Sequence, residues 1–160
     1  MQFFEDLVVG QRQELGSFTF TAELIKAFAA EFDPQPFHLD EEAGRGSLFG
    51  GLAASGWHVG AVGMKLLVAD GQRQAAEARA RGETPAVWGP SPGFRELRWI
   101  KPVLAGDTIR FATAIESLRT SETRPQWGIV QARHTGTNQR DELVFSFLAS
   151  AFVPRRAPAS

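Results

Sequence analysis

Apolar and polar residues alternate over "SFTFTA" (17–22), the pattern of a β-strand with one face buried. The spacing then lengthens: Leu24, Ile25, Phe28 and Ala29 fall on one helical face, with Thr21 placed to cap the helix and Glu23 in its first turn. That helix must stop near Phe32, because Asp33 precedes Pro34 and is pushed out of the α region. "LDEEAG" (39–44) reads as a short helical turn with acidic residues at its start. "GRGSLFGG" (44–51) is a flexible approach to a helix expected from about residue 53 to 69. That helix is apolar nearly all round, with Lys65 its only formal charge, so it has to be enclosed on most sides. "GQRQAAEARARG" (71–82) reads as a separate, exposed helix ended by Gly82.

The second half changes period. "FRELRWI", "DTIRFATAIESL", "WGIVQARHT" and "LVFSFLASAFV" are strand-like runs rich in β-branched and aromatic residues, divided by the turn signals "KPVLAGD", "SETRPQ" and "TNQRDE". One apolar helix followed by long antiparallel strands implies an α+β fold. Curling the sheet around the helix would bury it, and so would two helices laid side by side on a flat sheet. Periodicity does not separate these. There is no internal repeat or linker, so residues 1–153 read as a single domain with a disordered tail at 154–160.

Composition narrows the function. The chain has 160 residues, 43% hydrophobic and 22% charged, with a formal charge of −1, and near-neutrality argues against a nucleic-acid partner. It contains no cysteine, which excludes disulfides, thiolate nucleophiles and zinc–thiolate sites. Residues 52–69 are barely long enough to span a bilayer and include Ser55, His58, Lys65 and three glycines, so a buried helix is expected there and no membrane partner. The opening "MQFFEDLVVGQ" lacks a basic segment and a continuous apolar run, and a cytoplasmic enzyme or binding protein is the expectation.

Several motifs fail on spacing. Gly44, Gly46 and Gly50 miss G-x-G-x-x-G by one residue, and Ala53 stands where the G-x-S-x-G elbow around Ser55 needs glycine. His38, His58 and His134 have no metal-ligand spacing, and neither a metal nor a separate cofactor is expected. His58, on the apolar helix, reads as a core or supporting residue rather than a catalyst. "DPQPFH" (33–38) remains. Its prolines either merely stiffen a turn, with Asp33 and His38 solvated, or hold the two side chains so that they converge on one water. Asp33 sits just past a helix C-terminus, where the helix dipole disfavours a carboxylate.

"FAAEFDPQPFHLDEEAG", "LFGGLAASGWHVGA" and "ELRWIKPVLAGDTI" together resemble the MaoC-like dehydratase family, which includes (R)-specific enoyl-CoA hydratases. The resemblance extends from "FEDLVVGQ" to the last strands. Its most specific part is D-x-x-P-x-H, here Asp33, Pro36 and His38, followed eighteen residues after the histidine by Gly56 at a helix start. It implies the hot-dog fold, in which an antiparallel sheet wraps a long central helix, and a homodimer or higher homo-oligomer. It also implies reversible hydration of a trans-2-enoyl thioester to the (R)-3-hydroxyacyl thioester. Coenzyme A or acyl carrier protein would enter only as part of the substrate.

On that resemblance Asp33 and His38 are the catalytic pair that activates water, and the Gly56 backbone N–H binds the thioester oxygen. Glycine at 56 is expected to admit close approach of the acyl group. Two positions depart from the family pattern: Gln35 replaces a common asparagine, and Ser55 a common histidine. Both keep hydrogen-bonding capacity and, with His58, are candidates for supporting the pair. The acyl pocket is expected to be walled by the central helix, the Ala75–Gly82 region and a partner subunit. A non-catalytic acyl-thioester binding or scaffold subunit, and a thioesterase on the same fold, are the rival readings.

Overall fold

The structure, a computed structural model, describes residues 2–156. A 3-10 turn (Phe4–Asp6) precedes strand β1 (Arg12–Thr19) and helix α1 (Ala22–Phe32). Two short helices follow, α2 (Pro36–Leu39) and α3 (Glu41–Arg45), and then the long helix α4 (Gly56–Ala80). Strands β2 (Gly93–Trp99), β3 (Thr108–Thr120), β4 (Trp127–Thr137) and β5 (Leu143–Pro154) complete the chain. All five strands form one sheet, in the order β1-β3-β4-β5-β2, with every neighbouring pair antiparallel.

The sheet packs on α4. Val59 and Val62 of the helix join Phe20, Ile25, Leu52, Ile109, Phe111, Val144 and Phe145 in the main core. Helix and sheet lie very close at Gly63, where an added Cβ would come within 3.1 Å of the Phe111 ring. Glycine inside a helix costs roughly 1 kcal/mol each relative to alanine. That cost is tolerated here because it allows the close approach.

Sequence expectation and structure differ over α4. The expected helices at 53–69 and 71–82 are one continuous helix, since a single glycine at 71 is too weak a breaker. The join is braced by Asp70, a buried carboxylate that pairs with Arg73 and accepts from Gln74 Nε2 at 2.7 Å. The helix also starts three residues later than expected, because Ala53 and Ala54 are taken up by extended pairing. Ala53 forms a bridge with Leu104, and the Ala54 N–H donates to Val103 O at 2.8 Å. Nor does the chain enclose the helix on most sides: Trp57, Met64 and Val68 are at least half exposed.

In α1, Thr21 caps as expected, its hydroxyl accepting from the Leu24 N–H, and Ile25 and Ala29 are buried, but Leu24 lies on the outer side. β5 runs through Pro154, and beyond it Arg155 and Arg156 pair with Glu5 and Asp6. The rest of the expected tail, 157–160, lies outside the described residues.

Candidate active site

Helix α1 ends where proline required, and Asp33 is its C-cap residue, in a non-helical backbone conformation. Its N–H still donates to Ala29 O at 2.9 Å. Pro36 then opens α2 at the first helical position, where its missing N–H costs nothing. One turn later His38 points inward and is buried. Two prolines and one tight helical turn therefore bring a carboxylate and an imidazole five residues apart to 3.4 Å, measured from His38 Nε2 to Asp33 Oδ2.

The tautomer of His38 follows from its other nitrogen. Nδ1 lies 2.7 Å from the carbonyl oxygen of Ala53, which can only accept, so Nδ1 carries the proton. The same strand segment is tied back by the Ala53 N–H, which donates to Phe37 O at 3.2 Å. In neutral His38, Nε2 is therefore an acceptor, and it faces a second acceptor on Asp33. Phe37, edge-on at 4.6 Å, and Phe49 cover the rest of the ring.

Asp33 is held as a carboxylate. Burial works against ionisation, but hydrogen bonding from the Ser55 hydroxyl and the Gln35 amide, with the charge of His38 when that ring is protonated, brings the carboxyl below its usual range. Gln35 Nε2 donates to Asp33 Oδ1 at 2.8 Å. The Ser55 hydroxyl favours the ionised form of Asp33, and its oxygen caps α4 by accepting from the Trp57 N–H at 3.2 Å. Both departures from the family pattern thus turn toward the same carboxylate.

Gly56 is the first residue of α4, and such a residue has no intrahelical acceptor for its N–H. Among the described residues none supplies one. A free N–H at a helix N-terminus suits a developing negative charge. The side-chain space of Gly56 is not open, however. It is filled by the indole of Trp99, which would overlap any Cβ there.

The other candidates lie apart. His58 is buried in an aromatic cage, stacked on Phe28 at 4.5 Å and edge-on to Phe20 at 5.0 Å, with Nδ1 lacking a partner among the described residues. Burial lowers its pKa and keeps it neutral. His134 stacks on Phe147 at 4.6 Å, and burial brings it down to about 4. Residues from Ala75 onward are at least nineteen positions along α4 from Gly56, roughly 28 Å at ~1.5 Å per residue. They are too far along the helix to wall a site at its start. Among the described residues no group of three or more His, Asp or Glu side chains is arranged for a metal, and no helix is long and apolar enough to cross a membrane.

Two contributors escaped the sequence reading. Ala53 acts through its backbone carbonyl, which no side-chain motif reveals. Trp99 stood in a strand pattern that said nothing of its contact with Gly56, 43 positions earlier in the chain.

Comparison with known proteins bears on the family and the fold. A MaoC-like dehydratase from Rhodospirillum rubrum has 41% sequence identity and a TM-score of 0.81, covering 98% of this chain and 99% of its own. A double hot-dog protein from Mycobacterium tuberculosis shares the fold at a TM-score of 0.65 and 23% identity, with this chain covering 46% of it. YdeM of Bacillus subtilis, an uncharacterized protein, is 28% identical over 151 residues, 94% of this chain and 98% of its own. Mesaconyl-CoA hydratase of Cereibacter sphaeroides is 35% identical over 68 residues, which is 42% of this chain but only 20% of that enzyme. The model of the MaoC-like domain matches residues 7–138. With the long α4 against a five-stranded antiparallel sheet, this chain belongs to the MaoC-like dehydratase family of hydratases and dehydratases and has its hot-dog fold.

Proposed function

We propose that this protein hydrates a trans-2-enoyl thioester, carried on coenzyme A or acyl carrier protein, to the (R)-3-hydroxyacyl thioester, and catalyses the reverse dehydration. The observation that carries the reading is the pair of acceptors, His38 Nε2 and Asp33 Oδ2, facing each other 3.4 Å apart. A water molecule has two protons to donate, one to each, and its oxygen lone pairs then remain free to attack C3.

As the new C3–O bond forms, the dyad takes one proton from the water. The C2–C3 π electrons move toward the thioester carbonyl, and the resulting enolate oxygen is held by the Gly56 N–H. A proton returned from the dyad to C2 restores the thioester, so water is added with no other reactant consumed. Asp33 and His38 both stand on the same side of the acyl group in this scheme, which gives addition of water and proton to one face.

Gln35 and Ser55 favour an active site over a non-catalytic binding subunit, because both stabilise the Asp33 carboxylate that the mechanism needs. The local similarity to a hydratase acting on a CoA thioester points the same way. A homodimer is part of the proposal. The exposed Trp57, Met64 and Val68 on α4, and Phe94 on the edge strand β2, offer a second copy an apolar surface.

The test is a hydration assay over short, medium and branched enoyl-CoA substrates, following loss of the conjugated thioester absorbance with chiral analysis of the product. Formation of an (R)-3-hydroxyacyl-CoA supports the reading. Tight binding without absorbance change would assign a binding subunit, and release of free thiol a thioesterase.

A further inference from the structure

Every L-residue other than glycine is barred from position 56 by one side chain. A Cβ there would come within 2.7 Å of Trp99 Cδ2 and nearer still to Cε2 and Nε1, whereas carbon–carbon contacts settle at roughly 3.5–4.0 Å. The indole therefore lies directly on the Cα of the residue whose N–H has no acceptor among the described residues. Trp57, the next residue of α4, meets the Trp99 ring edge-on at 5.3 Å and 79°. Both indoles are large apolar surfaces left in solvent, 58% exposed for Trp57 and 47% for Trp99. They flank the start of α4 without sealing it.

Strand β2 delivers the ring there. Its register against β5 shifts between Arg95 and Arg98, and Glu96 within the shift has φ 56, a conformation that non-glycine residues avoid. The carboxylate of Glu96 is gripped by Arg133 at 2.7 Å, and Arg133 is gripped in turn by Glu116. A bulge resets which face each following side chain takes. After it, Trp99 pairs with Phe145 and the Ile100 N–H donates to Val144 O at 2.8 Å. The backbone carrying the indole is thus fixed on both sides.

We propose that Trp99 is a wall of the thioester site: it, and not the substrate, imposes glycine at 56, and its ring seats the planar enoyl thioester beside the Gly56 N–H. This rests on the hydratase reading above. The earlier expectation, that glycine is needed to admit the acyl group, predicts a different outcome in a double variant.

Gly56→Ala is expected to lower kcat/KM about 100-fold, with the carbonyl displaced from the N–H. Adding Trp99→Ala removes the overlap, and at least a tenfold recovery over Gly56→Ala is expected, in Tm as well as in turnover the two changes being non-additive. Trp99→Ala alone is expected to raise KM about 5- to 10-fold with a smaller change in kcat, as loss of a stacking surface does. In a Trp57→Phe background, which removes the neighbouring reporter, butyryl-CoA, which is not hydrated, is expected to quench tryptophan emission, and not when Trp99→Phe is added. A double variant no better than Gly56→Ala, or a quench that survives Trp99→Phe, overturns the proposal. If the parent protein hydrates no enoyl-CoA, the hydratase reading is what fails, and the quench and the Tm coupling still decide where Trp99 stands.

Discussion

His38 donates its Nδ1 proton to the backbone carbonyl of Ala53 at 2.7 Å, and so turns Nε2, as an acceptor, toward Asp33. A residue fifteen positions away, with no functional side chain, thereby sets the polarity of the dyad. The same contact fixes the ring against rotation, which matters because a misplacement of ~1 Å can cost ~100-fold in rate.

Removing either member of the dyad should cost turnover and spare the fold. Asp33→Asn and His38→Ala are each expected to lower kcat by roughly 10²–10⁴. Circular dichroism should remain that of the parent for Asp33→Asn, whose side chain keeps its volume. Unchanged turnover in both variants would sink the hydratase assignment.

The acid limb of the pH profile reports on Asp33. Its carboxyl titrates below the usual range, so it is ionised, and able to accept a proton from water, well into mild acid. Because the folded pKa is depressed relative to the unfolded one, the stability this group contributes is present above the unfolded value and is lost as pH falls through the folded value. Ser55→Ala and Gln35→Leu each remove one of the stabilising groups and are expected to move the acid limb of kcat/KM upward. Ser55→Ala also removes the α4 cap, at about 1 kcal/mol of stability. An acid limb that stays at the parent's position in both variants would remove Asp33 from the role of base.

His134 gives a second pH dependence of the same sign, over a higher pH window. Half-buried against Phe147 and neutral, with its pKa brought to about 4, it holds its proton less readily than in the unfolded chain, where histidine titrates near ~6.5. The unfolded state therefore binds more protons between those values, and stability declines as pH falls from about 6.5 toward 4. His58 has a pKa shifted in the same direction. His134→Phe keeps an aromatic ring against Phe147 and is expected to flatten part of the decline, by roughly 1–3 kcal/mol between pH 7 and 4.5. Urea unfolding at the two pH values measures it, and an equal slope in parent and variant would refute it.

Gly44 supports the site from behind. A Cβ there would lie 2.7 Å from backbone atoms of Gly51 and Leu52, which cannot swing aside as the end of a side chain can. Gly44→Ala is expected to destabilise by roughly 1–3 kcal/mol, as overpacking does. The push falls on the segment leading into Ala53, so His38 should lose its acceptor and kcat should fall with stability. Loss of stability with kcat intact in the folded fraction would separate Gly44 from the dyad.

Local rules decided much of this protein from the chain alone. Pro34 stopped α1, Thr21 started it, Asp40 began α3, and alternating β-branched and aromatic runs marked four long strands. Each of these depends on residues within a few positions of one another, where sterics and hydrogen bonding act without knowledge of the rest of the fold. The D-x-x-P-x-H spacing by itself left Asp33 and His38 open between a solvated turn and a convergent pair; the family resemblance favoured the pair, and the fold brings them to 3.4 Å. What only the tertiary structure decided are contacts between distant segments. α4 is one helix rather than two because a glycine at 71 is a weak breaker and the core and the Asp70 bridge outweigh it. The direction of the His38 proton comes from a backbone carbonyl on another segment, and the side-chain limit at Gly56 comes from an indole on β2. Neither leaves a mark in local periodicity, because each is a meeting of surfaces that exists only after the sheet has packed against the helix.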